Sequence, residues 1–276
     1  MLRPGPAPPP PRLPRPPEPN RICGPAAVRA LFLRRPQAVL RLFYTEERRR
    51  LAGPLCAHLA RTRRPYREVP PEELARIAGT PHHGGIVAVA VARFAEPLPG
   101  DTLPANLMHG PLAAPLLPVL DGIGNPHNLG AVARSAAFFG CHALLLSGDP
   151  RQADLSDAAF RVAEGGLEHL EVLRARDLPA TLRGLRGRYL TLAAVAAGGM
   201  APEAVPRDRP IALVLGNEEG GLPIPTLDAC EARVTLRGGG ALESLNVSVA
   251  AAVLLYALGG AGTRNQIHPR NLLPEA

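Results

Sequence analysis

The stretch Ile211-Ala212-Leu213-Val214-Leu215-Gly216-Asn217-Glu218-Glu219-Gly220-Gly221-Leu222 decides the fold class. Its first five residues are apolar without a polar interruption, which reads as a strand covered on both faces, as in a parallel sheet. The strand runs directly into three glycines and three polar residues. Glycines permit positive φ and close approach of a ligand to the backbone. Loops at the carboxyl ends of strands are the usual ligand position in open α/β sheets. A plain strand-to-helix turn produces the same pattern, so this loop by itself assigns no chemistry.

Working outward, the second half of the chain alternates in the same way. Strands are predicted at 116–120, 143–147, 168–173, 188–195, 211–215 and 232–236, and helices at 128–139, 154–162, 177–184 and 244–258. Such alternation predicts a mostly parallel sheet with helices on both faces, and spacing alone suggests a doubly wound α/β fold. Upstream, residues 21–95 carry shorter α and β units: a helix from Pro25, a strand Val39–Tyr44, a basic helix over 46–62, a strand near Tyr66–Val69, a helix opened by Pro70-Pro71-Glu72-Glu73, and a strand Ile86–Val91. They predict a small three-layer domain. Residues 96–115, rich in Pro, Gly and small side chains, read as a linker. Ten of the first twenty residues are Pro, so residues 1–20 are expected to form an extended, disordered arm and not a secretory signal. Residues 263–276 read as a short tail.

Charge is unevenly spread. All 31 basic residues are Arg, which excludes a Walker A loop and a Lys Schiff base. Residues 21–95 hold fourteen Arg against five acids, a net of +9, whereas residues 96–276 net −4. A basic first domain beside a mildly acidic second one points to nucleic acid as the partner. A solvated basic face with no partner is the alternative, and runs such as Arg48-Arg49-Arg50 weigh against it. Cys23, Cys56, Cys141 and Cys230 lack paired or zinc-type spacing, so no metal is expected, and they read as buried reduced thiols of a cytoplasmic protein. No apolar run is long enough to predict a membrane span.

Two further polar clusters lie against predicted elements. One is Asn125-Pro126-His127-Asn128-Leu129-Gly130, followed by Arg134 two turns into its helix. The other is Glu243-Ser244-Leu245-Asn246-Val247-Ser248-Val249, where Ser244 is a natural N-cap for helix 244–258 and Asn246 faces the same end. Taken together in order and spacing, the three clusters resemble the signature of the SpoU (TrmH-type) RNA ribose 2′-O-methyltransferases. The intervals from Gly216 to Leu236 and from Leu236 to Leu245 agree with that family. Residues 21–91 are similar to its N-terminal substrate-binding domain, with His82-His83-Gly84-Gly85 as the turn into the last strand.

The resemblance covers about 21–262, and it implies several things that spacing does not. The catalytic domain, 116–262, would be a SPOUT-type α/β fold whose C-terminal part forms a deep trefoil knot, a rare exception to ordinary topology. The methyl donor would be S-adenosylmethionine, the substrate structured RNA (rRNA or tRNA), and the assembly a homodimer built through the knotted domain. Arg134, Asn128, Glu218, Ser244 and Asn246 would form the active centre; Leu215, Gly216, Asn217, Leu236, Leu245 and Asn246 would line the donor site. Glu218 is expected to orient Arg134 or an RNA hydroxyl. Because guanidinium is essentially never deprotonated in proteins, Arg134 is expected to bind a phosphate and stabilise developing alkoxide charge instead of acting as a base. The chain departs from many relatives in reading Leu236-Arg237-Gly238-Gly239-Gly240 where they have Ile-Pro-Met-x-Gly. Transfer to a base, and a silent RNA-binding factor with this fold, are the alternatives.

Overall fold

A computed structural model of the protein describes residues 17–105, 115–240 and 242–259. Most of the Pro-rich arm, the middle of the expected linker and the tail lie outside the described residues.

The first unit comprises β1 (Asn20–Cys23), α1 (Pro25–Arg34), β2 (Val39–Tyr44), α2 (Arg49–Arg61), β3 (Tyr66–Glu68), α3 (Pro71–Ala78) and β4 (Ile86–Ala90). Its sheet runs β1-β4-β2-β3, with β2 and β3 parallel and the other pairs antiparallel. Alternation along the strands sends Ile22, Leu42, Ile86 and Ala88 to the α1 and α2 side, with Leu31, Leu55 and Leu59. Cys23 and Val87 face Leu74 and Ala78 of α3. Strand β1 was not expected; it is four residues long and directly follows the Pro-rich arm. The turn into β4 is pinned by His83, whose Nδ1 accepts from Gly85 N at 3.1 Å.

The second unit comprises β5 (Glu96–Pro97), β6 (Leu116–Asp121), α4 (Pro126–Phe138), β7 (Ala143–Leu146), α5 (Asp157–Ala163), α6 (Gly166–His169), β8 (Glu171–Arg174), α7 (Leu178–Leu185), β9 (Leu190–Ala194), β10 (Ile211–Gly216), α8 (Ile224–Ala229), β11 (Ala232–Val234) and α9 (Val247–Gly259). Its described strands are all parallel, in the order β11-β9-β10-β6-β7-β8-β5. Leu120, Leu144, Leu213 and Leu215 face α4, α5 and α9. Val119, Leu145, Ala212 and Val214 face α7 and α8 on the other side. Both faces are therefore covered, which is why β10 has no polar residue before its loop.

Three expectations need correction. Residues 96–97 are not linker: β5 joins the large sheet beside β8, and Leu98 and Leu103 are buried against α7. The expected strand 168–173 begins as helix α6, because Gly165 at φ 94° ends one helix and opens the next, and β8 starts only at Glu171. The last helix starts at Val247, not Ser244.

The two units share one continuous apolar core. They are also joined by polar contacts. Arg35 grips the buried Glu168 carboxylate with two bonds of 2.7 Å. Arg93 lies 3.7 Å from the same carboxylate and donates to the Leu167 and Leu170 carbonyls.

Candidate active site

The carboxyl ends of β6 and β10 are neighbours, and the chain moves to opposite sides of the sheet from them. That is the crevice where open α/β sheets bind ligands. From β6 the chain turns into α4, capped by Asn125, whose side chain accepts from His127 N at 2.8 Å. Pro126 follows in the first turn, where its missing N–H costs nothing. Gly130 lies where α4 crosses α5; an added Cβ would sit 2.5 Å from the Ala159 carbonyl oxygen. This motif glycine is thus a packing requirement.

From β10 the chain enters a tight loop closed by two main-chain bonds, Asn217 N to Gly221 O at 3.1 Å and Gly221 N to Asn217 O at 2.9 Å. A Cβ on Gly216 would fall 2.5–2.6 Å from the backbone of Gly221 and Leu222, so only glycine fits. Both polar atoms of the Asn217 side chain are engaged. Its oxygen accepts from Glu219 N and Gly220 N at 3.0 and 3.1 Å, and its nitrogen donates to Gly122 O at 2.9 Å. Asn217, expected to line the donor site, ties the β10 loop to the β6 loop through its side chain. Beneath them, Thr226 donates to the buried Asp121 carboxylate at 2.7 Å, a pair the sequence reading missed because α8 was not foreseen.

The third cluster reaches the same place. Asn246, not Ser244, caps α9: its oxygen accepts from Ser248 N at 2.9 Å and from the Ser248 hydroxyl at 2.6 Å. Its carbonyl takes the first helical bond, from Ala250 N at 2.9 Å. Ser244 lies three residues before the helix, exposed, too far along the chain to cap it. Asn246 also donates to Asn128 Oδ1 at 3.2 Å, while Asn128 donates to the Glu218 carboxylate. One residue from each cluster therefore joins a single exposed chain of hydrogen bonds, Glu218–Asn128–Asn246, across 90 and 118 residues of sequence.

Arg134 is not part of that chain. Its guanidinium pairs with Glu164 at 3.0 Å, both side chains more than half exposed, so the expected pairing with Glu218 is not formed. The expected donor-site residues differ in what they offer. Leu215 is buried in the core, leaving only its main chain for a ligand. Leu236 is half-buried against the core and Leu245 is half exposed. Around Gly238, Gly239 and Gly240 an added Cβ would meet nothing within 4 Å, so the loop borders open space. Among the described residues, no group of three His, Cys, Asp or Glu side chains is placed to hold a metal.

A family model described as the SpoU rRNA methylase family matches residues 115–256. The chain belongs to the SpoU family. A second model, for RNA 2′-O ribose methyltransferase substrate binding, matches residues 21–94, the small basic unit. The SpoU chain is 37% identical over 190 residues to the 23S rRNA (guanosine-2′-O-)-methyltransferase RlmB of Nitrosomonas europaea, covering 67% of this chain and 69% of that protein. The RlmB of Yersinia pestis is 35% identical over 241 residues, 85% of this chain and 94% of the relative. Among solved structures, the SpoU methyltransferase AviRb from Streptomyces viridochromogenes, in complex with AdoMet, superposes with a TM-score of 0.68 over 87% of this chain and 88% of its own, at 21% identity. That likeness shows the fold, and it spans both units.

Proposed function

We propose that this protein transfers a methyl group from S-adenosylmethionine to a ribose 2′-hydroxyl of ribosomal RNA. The observation that carries the proposal is the Glu218–Asn128–Asn246 chain, which joins three family motifs at the carboxyl end of a parallel sheet. The sequence relatives named as 23S rRNA 2′-O-methyltransferases support the substrate class.

The residues fit the donor. Leu236 and Leu245 offer apolar walls, the Gly216 strand end is bare main chain, and the Gly238–Gly240 run leaves room. Leu215, Gly216, Leu236 and Leu245 would hold it. When bound, the donor supplies a methyl group activated by its sulfonium, so the protein's task is mainly alignment. Asn128, held from both sides by Glu218 and Asn246, would orient the ribose hydroxyl. Glu218 is the carboxylate that would share the hydroxyl proton. Arg134, half exposed, would draw in an RNA phosphate by exchanging it for Glu164. Ser244, exposed on the approach to Asn246, would touch the RNA.

The basic first unit would bind the RNA through phosphates. The knotted C-terminal topology is proposed with the family membership; the all-parallel order β11-β9-β10-β6-β7-β8 accords with it without testing the threading. A homodimer is supported by an exposed apolar stripe: Val249, Val253 and Tyr256 of α9 share a face, Phe139 at the end of α4 lies 6.1 Å from the Tyr256 ring with Phe138 against it, and Tyr256 and Phe138 are 75% and 82% exposed. Surfaces of this kind mark interfaces. The described residues hold no helix long and apolar enough to cross a membrane, and a cytoplasmic location is proposed with the RNA substrate.

Methylation assays with radiolabelled donor and ribosomal RNA test the reading. Glu218→Gln and Asn128→Ala should each lower kcat by about 100-fold or more, the range for groups that handle a proton in the transition state, with donor affinity changed little. Full activity in both variants would remove this site from the reaction.

A further inference from the structure

We propose that Gln152, a buried residue outside the three polar clusters, is a positioning residue for Asn128: its side-chain amide fixes the loop from which α4 starts. The inference rests on the methyl-transfer reading above and adds a residue through which that reaction is aligned.

Burying a polar side chain is costly unless its hydrogen bonds are made. The second unit nonetheless gathers Asp121 with its partner Thr226, Ser147 and Gln152 around residues 121–123, each 5% exposed or less. Here the chain leaves the sheet. The β6–β7 ladder ends at Leu120 and Leu146, with Ser147 N donating to Leu120 O at 2.9 Å. Beyond that point the chain after β7 turns away, and side chains take the place of its main chain. The Ser147 hydroxyl accepts from Gly122 N at 3.2 Å. Gln152 then serves both main-chain groups of Ile123: Oε1 accepts from Ile123 N at 3.1 Å, and Nε2 donates to Ile123 O at 3.2 Å. Ala153 N donates to the same carbonyl at 2.8 Å. At Gly124 an added Cβ would sit 3.2 Å from Arg151 O, so this residue lies directly on the turn that carries Gln152. That turn is itself closed. Gln152 N donates to Asp149 O at 2.9 Å, and Arg151 pairs with the Asp149 carboxylate at 2.7 Å.

Gly124 alone separates Ile123 from Asn125, the cap of α4, and Asn128 lies in the first turn of that helix. Glu218 and Asn246 hold the Asn128 amide across the crevice, whereas Gln152 sets where the main chain beneath it begins. The Ile123 side chain is fully buried in the core. Losing the amide of Gln152 would therefore shift the loop and the start of α4 without unfolding them. Methyl transfer depends on alignment, so such a shift acts on the rate of the chemical step.

Gln152→Met, close in volume and without the amide, tests this in the full chain. Steady-state methylation of ribosomal RNA, calorimetry with S-adenosylmethionine and hydrogen exchange read by mass spectrometry are compared with the unaltered protein. The expected result is a fall in kcat of about 10- to 100-fold, the cost of misplacing a reacting group by up to an ångström. KM for RNA and donor affinity should stay within about threefold, as for an interaction used only in the transition state. Exchange should quicken in peptides covering 121–129 and stay unchanged in β9 and β10. Gln152→Asn keeps an amide but is too short to span both Ile123 groups; it should show the same loss confined to kcat, and it carries the test if the Met variant does not fold. Unchanged kcat in these variants, or a loss accompanied by faster exchange throughout β9 and β10 and weaker donor binding, would overturn the positioning role and leave the methyl-transfer reading intact. Absence of any ribose product from the unaltered protein would overturn both.

Discussion

Removing the Glu168 carboxylate should loosen the two units from each other. Its side chain is fully buried, and two arginines from the first unit converge on it: Arg35 through two 2.7 Å bonds, and Arg93 at 3.7 Å. Burial pulls Arg93 below the ordinary arginine pKa, and Glu168 is the largest influence opposing that pull. Glu168→Ala would leave two guanidinium groups, each about one-fifth exposed or less, without their counter-charge. Truncating one partner of a buried pair costs roughly 3–5 kcal/mol. Arg93 retains the Leu167 and Leu170 carbonyls, so the lower end, ~3 kcal/mol, is expected here. For a chain of this size that corresponds to a fall of about 6–12 °C in Tm. Calorimetry of Glu168→Ala beside Glu168→Gln measures it. The amide retains one acceptor oxygen and should lose less. A Tm within about 2 °C of the unaltered protein would refute the claim that this cluster holds the units together.

Three other outcomes follow from particular contacts. Gly216→Ala places its Cβ against the Gly221 backbone and should cost about 1–3 kcal/mol by overpacking; S-adenosylmethionine binding by calorimetry should fall with it, and normal affinity would count against the loop as donor site. Burial pushes the Cys23 thiol up to about 11 and Cys141 and Cys230 up to about 12. At pH 8 these thiols should therefore react with Ellman's reagent far more slowly than a free cysteine. Because the unfolded thiols ionise near ~8.5 while the folded ones stay protonated, stability should fall as pH rises from there towards 11–12; fast labelling of the native protein at pH 8 would contradict this. Tyr256→Glu on the exposed α9 stripe should convert a dimer into a folded monomer in light scattering, and an unchanged mass would exclude that face as the interface.

How much of this was legible in the sequence depends on range. The strands of the large sheet announced themselves because a strand covered on both faces must be apolar throughout, as in 116–120, 143–147 and 211–215. Short elements did not: β1, α6 and α8 have four to six residues each, and tertiary packing, not local pattern, fixes them. At the site, the residue types were readable but their partners were not. Nothing local pairs Asn128 with Glu218, or sends Arg134 to Glu164, because those pairings depend on how α4 lies against β10 and α5. The cap was misassigned for a related reason. Ser244 and Asn246 are both good capping residues, and only the position at which α9 begins decides between them.

The central claim is that Glu218, Asn128 and Asn246 serve transfer to a ribose hydroxyl. The most direct measurement is to incubate the protein with ribosomal RNA and methyl-labelled S-adenosylmethionine, then digest the RNA and identify the labelled nucleotide by mass spectrometry. A single 2′-O-methyl nucleotide, resistant to alkaline cleavage and absent with Glu218→Gln, is the predicted result. Label on a base, or an undiminished ribose product from Glu218→Gln, would contradict the account.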